Sequence, residues 1–138
     1  MNEIVKAAAE LYIGGLYCSQ AVLGAFCEKY GMDRNLAVRV SFGLNSGVRC
    51  ADVCGAVSGA VLVVGLKHGD DRAVCNLKTE EYIRSFREQN GSIICRDLLG
   101  CDISTPDGKE TAVTNNLFKT RCVDMVISAA QILDKLGY

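Results

Sequence analysis

A chain of 138 residues with a hydrophobic fraction of 49% fits one domain, 1–138, able to bury a core without disulfide staples. Its formal net charge of −1, with no block of like charges, argues against nucleic acid or an anionic membrane as partner, because both require a basic face. A single histidine excludes a centre built on several histidines, a C₂H₂ zinc finger included.

The first helix is predicted from about Glu3 to Ile13, with Ile4, Ala8, Leu11 and Tyr12 as its apolar stripe. The opening residues carry no basic leader with an apolar core, so no signal peptide is expected. The second helix runs from about Ser19 to Tyr30, with Val22, Ala25 and Phe26 on one face and Cys18 at or near its N-cap. Asp33 reads as the cap of a third, Arg34 to about Phe42. A loop containing Gly43 and Gly47 follows, as far as Arg49. The fourth helix, about 51–67, is apolar on all sides and belongs at the centre of the core. Ala51, Gly55 and Gly59 share one side of it, and small residues at that spacing admit another backbone or a bulky cofactor. The longest uncharged run, Val53 to Leu66, is too short to span a bilayer, so no membrane association is expected.

A fifth helix is predicted from about Arg72 to Asn90, with Val74, Leu77, Tyr82, Ile83 and Phe86 inward. A short one covers Ser92 to Leu99. The segment from Asp102 to Asn116 is polar, with Thr105-Pro106 as a helix start. The last helix runs from about Leu117 to Leu136, with Phe118, Cys122, Met125, Val126, Ala129 and Leu133 as its stripe. Glycine follows most of these segments, as expected of C-terminal caps. No alternating pattern supports a strand. The expected fold is all-α, a single-domain bundle of about six helices around the central apolar one.

Eight cysteines are the unusual feature, at 18, 27, 50, 54, 75, 95, 101 and 122. With the cytoplasm as the expected location, such usage points to metal binding or redox chemistry rather than a disulfide framework. Cys54 has the most informative surroundings. It is expected in the first turn of the central helix, after a glycine-bearing loop, where backbone N–H groups and the helix dipole favour thiolate. The loop amides, Gly47 among them, are candidate donors to sulfur or to an anionic cluster, and Gly55 and Gly59 leave room for one. Cys50 precedes Cys54 by one helical turn. Cys18, Cys95 and Cys122 fit inward positions, where core packing and a functional role weigh about equally. Cys27, Cys75 and Cys101 read as packing. His68 reads as a helix C-terminal cap, and Arg49 as a solvated charge or a thiolate partner.

The segment Cys54-Gly55-Ala56-Val57-Ser58-Gly59 is joined by Cys18-Ser19-Gln20-Ala21-Val22-Leu23 before it. After it come Gly91-Ser92-Ile93-Ile94-Cys95-Arg96-Asp97-Leu98-Leu99-Gly100 and Cys122. Together they make the chain resemble the C_GCAxxG_C_C family of redox-active proteins. The resemblance implies a cytoplasmic helical protein of anaerobic or metal-handling microbes. Its four-cysteine redox centre would fall on Cys18, Cys54, Cys95 and Cys122. The chain is also similar to the domain of split-Soret cytochromes that carries an iron–sulfur cluster beside haem. It has no C-x-x-C-H motif, so only the cluster half of that likeness carries over. Cys50 and Cys101 depart from the family pattern, as alternative ligands or resolving thiols.

Four readings stand at this point. The first is an electron-transfer protein holding a 2Fe–2S or 4Fe–4S cluster through the four cysteines, with a redox partner protein and scope for a homodimer that shields the site. The second is a metal-free thiol–disulfide oxidoreductase with Cys54 as attacking thiol. The third is a zinc or other metal-binding structural or carrier protein. The fourth is a helical domain with buried cysteines.

Overall fold

The computed structural model describes the whole chain, Met1–Tyr138. It is all-α, as expected: α1 (Glu3–Ile13), α2 (Cys18–Phe26), α3 (Arg34–Val40), α4 (Gly55–His68), α5 (Arg72–Asn90), α6 (Cys95–Leu99), α7 (Pro106–Thr114) and α8 (Arg121–Lys135). The only β feature is one isolated bridge between Val53 and Ile94. No helix is long and apolar enough to cross a membrane.

Local chemistry explains where helices start and stop. The Asn2 side chain accepts from the Val5 amide and caps α1, and Asp33 caps α3 in the same way through Leu36. The polar segment after residue 102 contains a true helix, because Thr105 Oγ1 accepts from the Gly108 amide at 3.0 Å and Pro106 sits at its first position. The last helix starts later than expected. Leu117–Lys119 form a separate 3₁₀ turn, and Thr120 (φ −121°, ψ −74°) leaves helical geometry before α8 begins at Arg121.

The start of the central helix also differs from expectation. Residues 46–49 lie in the expected loop, but its left-handed turn, with φ between 53° and 62° at Ser46, Gly47, Val48, Arg49 and Ala51, runs on through Ala51, so α4 begins at Gly55 rather than near Ala51. Cys54 becomes the N-cap residue of α4.

α4 lies between α2, α5 and α8, and α1 closes the layer against α2 and α8. Its buried residues include Ala56, Val57, Ala60, Val63 and Val64. Phe26, Leu23, Phe86, Val126 and Leu133 complete the core, each worth about 1.5–3 kcal/mol through burial. Tyr82 is fully buried and satisfies its hydroxyl by donating to the Ala129 carbonyl at 2.9 Å. The expected inward stripe of α5 holds only in its second half, since Val74 is 36% and Leu77 66% exposed.

The tightest approach is between α2 and α4. A Cβ at Gly59 would lie 2.6 Å from the Ser19 carbonyl oxygen and 3.2 Å from its Cα, so only glycine lets the two backbones meet there. Gly65, in the same helix, faces open space. Gly59→Ala should therefore lower the unfolding free energy by about 1–3 kcal/mol through overpacking. Gly65→Ala should raise it by up to about 1 kcal/mol through helix propensity. Urea denaturation of the two variants checks this, and equal effects would contradict the assigned contact.

Candidate redox centre

Cys18, Cys54, Cys95 and Cys122 all line one cavity of about 620 Å³. They reach it from four helices, and each stands at the start of its own. Cys18 is the first residue of α2, Cys54 the N-cap of α4, Cys95 the first residue of α6 and Cys122 the second of α8. Four helix starts thus meet at one cavity, where the positive ends of helix dipoles favour negative charge. The rest of the wall is mostly apolar and includes Leu16, Leu98, Ile103, Phe118 and Met125.

A set of polar ties fixes each N-terminus. Ser19 Oγ donates to the Ser41 carbonyl and Gln20 Nε2 to the Val38 carbonyl, both at 2.9 Å, which holds the start of α2 against the end of α3. The Cys54 amide donates to the Ile93 carbonyl at 2.8 Å and the Cys95 amide to the Asp52 carbonyl at 2.7 Å. This two-bond clasp sets the start of α4 beside the start of α6. Arg121 Nε donates to the Leu98 carbonyl at 2.9 Å and joins the start of α8 to α6.

The left-handed turn before Cys54 is costly, at roughly 1–2 kcal/mol per non-glycine residue. Buried Asn45 offsets part of this. Its amide donates to the Phe42 carbonyl at 2.7 Å, and its Oδ1 accepts from Arg49 at 3.1 Å. Arg96 donates to the Cys50 carbonyl at 3.1 Å from the other side. A Cβ at Gly47 would run into the backbone of Asp52, so the turn closes only on glycine. Arg49 therefore serves the turn through Asn45 rather than a thiolate.

The thiols are not equivalent. The Cys54 thiol is close enough to Cys18 to share a proton with it, and the amides of Ser19, Ser46 and Cys18 itself also face the Cys18 sulfur. The first proton lost from the pair leaves its charge on Cys18, which is held below the ordinary thiol range, while Cys54 is pushed well above it by that shared bond and by burial. Burial, with repulsion from neighbouring thiolates, pushes Cys95 up to about 12 and Cys122 up to about 11. A single negative charge is favoured here; four would require cations among them.

Of the glycines expected to make room for a cofactor, Gly55 and Gly47 line the cavity. A side chain at Gly55 would collide with the Cys18 sulfur. Gly59 does not line it, because the α2 backbone occupies its space. Cys50 is exposed on the left-handed turn, away from the cavity wall. Cys101 is half-buried and near enough for its charge to raise Cys95 and Cys122. Cys27 is core, and Cys75 packs against it. His68 stacks edge-on against Tyr138 at the end of α4. No three His, Cys, Asp or Glu side chains come close enough to hold one metal ion. That spacing does not fit a mononuclear zinc site, which needs its sulfurs about 2.3 Å from one point.

Tyr12 is the residue that sequence reasoning left in the core stripe and the structure puts in the cavity. Its signal was position alone, in the last turn of α1.

In reduced, metal-free protein at pH 8, limiting iodoacetamide should modify Cys18 before Cys54, Cys95 and Cys122, since its lowered pKa gives it the largest thiolate fraction. Peptide mass spectrometry reads the order, and Cys54 reacting first would reverse the assignment.

No curated protein and no solved structure matches the chain. The model of one family, described as "Putative redox-active protein (C_GCAxxG_C_C)", matches residues 16–136, a span that contains all four cavity cysteines. With that match across most of its length, the chain belongs to the C_GCAxxG_C_C family of redox-active, cysteine-containing proteins.

Proposed function

We propose that this protein is an electron carrier that holds an iron–sulfur cluster through Cys18, Cys54, Cys95 and Cys122. The observation that carries the reading is the meeting of four cysteines at four helix N-termini on one largely apolar cavity. Four thiolates around iron make an anionic group, and helix N-termini are suited to anions. A bound cluster would supply one-electron storage and transfer, with its potential set by burial and by hydrogen bonds to sulfur. The chain's own part is to orient the thiols, aim the Ser19 and Ser46 amides at Cys18, and surround the centre with a largely apolar wall. A redox partner protein in the cytoplasm fits this role, and so does a homodimer that covers the site.

The second reading, a dithiol oxidoreductase, is favoured by the proton-sharing contact of Cys18 with Cys54. In it Cys18 attacks as thiolate and Cys54 resolves, the reverse of the roles expected from sequence. The two electrons released as the Cys18–Cys54 disulfide forms would reduce a substrate disulfide to two thiols.

Protein purified without oxygen should show broad visible absorption that dithionite bleaches, with matching iron and acid-labile sulfide. Cys54→Ser and Cys122→Ser should each lose most of that iron, and Cys75→Ser should keep it. Full iron content in Cys54→Ser, or no iron after reconstitution of the parent protein, would overturn the cluster reading.

A further inference from the structure

The segment between α6 and α8, residues 101–119, lies outside the packed core. None of its side chains belongs to the main hydrophobic cluster or packs against it, and Ala112 is its one buried residue. α7 rests mainly on the 3₁₀ turn Leu117–Lys119 of the same segment. Internal ties make the segment a unit. The Asp102 carboxylate accepts from the Ser104 amide at 2.9 Å and the Asp102 carbonyl from Thr105 Oγ1 at 2.8 Å. A Cβ at Gly108 would run into that carbonyl, so the start of α7 sits tightly on residue 102.

This unit nevertheless forms part of the cavity wall, through Ile103, Phe118 and Lys119. Gly100 (φ 72°) ends α6 in left-handed geometry, and Thr120 leaves helical geometry before α8. Arg121 Nε, donating to the Leu98 carbonyl at 2.9 Å, ties the two ends together, with Cys95 and Cys122 outside the segment. Apart from bonds to the adjoining Thr120, one hydrogen bond joins the segment to the rest of the protein. The Tyr12 hydroxyl of α1 donates to the Phe118 carbonyl at 2.6 Å. No ion pair involves the segment.

A segment with few buried apolar contacts opens locally at a fraction of the free energy needed to unfold the core. We propose that residues 101–119 are a lid over the cavity, which turns about Gly100 and Thr120 and is latched by the Tyr12–Phe118 hydrogen bond. Its opening admits small reagents to the thiols while α6 and α8 stay in place. The lid would serve cluster insertion or entry of a substrate disulfide equally, and it rests on neither redox reading.

The test is hydrogen–deuterium exchange of the reduced, metal-free full chain, read by mass spectrometry, with iodoacetamide labelling of the same samples. In the parent protein the amides of α7 and Leu117–Lys119 should exchange together, roughly a hundredfold faster than those of α4. Tyr12→Phe removes the latch, so exchange of the segment and labelling of buried Cys54 and Cys95 should both rise about fivefold. Phe118→Ala keeps the carbonyl but loses the apolar contact, and should act in the same direction. Val113→Ala, on the exposed face of α7, should change neither. If Tyr12→Phe speeds exchange in α4 as well, the whole protein is loosened and Phe118→Ala carries the test. Segment amides as slow as those of α4 in the parent would overturn the lid. So would labelling of Cys54 and Cys95 at the parent rate in both variants, which would make α7 a fraying surface helix. Neither readout needs a bound cluster, so the lid stands or falls separately from the cluster reading.

Discussion

The close approach of α2 to α4 is the constraint on which the site depends. Gly59 lets the α4 backbone meet Ser19, and Gly55 lets the Cys18 sulfur lie against the start of α4. With any larger residue at either position the two helices part, and with them Cys18 and Cys54. Everything else in the centre is attached to that pair of helix starts. The clasp between residues 52–54 and 93–95 adds α6, and Arg121 adds α8. The family pattern thus has a physical meaning here: its glycines create the contact that its cysteines use.

The same arrangement explains why the site suits negative charge although the cavity is apolar. An isolated thiolate in such a place pays for desolvation, which is why Cys95 and Cys122 are pushed up. Cys18 escapes because the Cys54 thiol, and after it three backbone amides, favour its charge. The strained left-handed turn earns its place in this account by delivering the Ser46 amide to Cys18 and by setting Cys54 as the α4 N-cap. Neither follows if residues 46–51 continue the helix.

Much of this was legible in the sequence. Helical spacing and glycine caps gave the all-α architecture, and the bounds of α1 and α5 agree with the spacing read from residues alone. The motif around Cys54 pointed to the four cysteines that share the cavity. The misses have local causes. A run of small and apolar residues after Cys50 reads as helix, but the left-handed turn runs on through Ala51, and long-range bonds from Arg96 to the Cys50 carbonyl and from the Cys95 amide to the Asp52 carbonyl hold residues 50–52 outside α4, which no spacing reveals. Cys122 read as a mid-helix stripe residue because nothing at Thr120 announces a break. Gly59 read as room for a cofactor, whereas the room is filled by α2. Tyr12 fits an apolar stripe as well as it fits a cavity wall, and only the fold distinguishes the two.

The most direct test is anomalous diffraction at the iron edge from crystals of protein purified and grown without oxygen. The account predicts an iron signal inside the cavity, bounded by the sulfurs of Cys18, Cys54, Cys95 and Cys122. Iron bound elsewhere, or a cavity without iron whose Cys18 and Cys54 have closed into a disulfide, would contradict it.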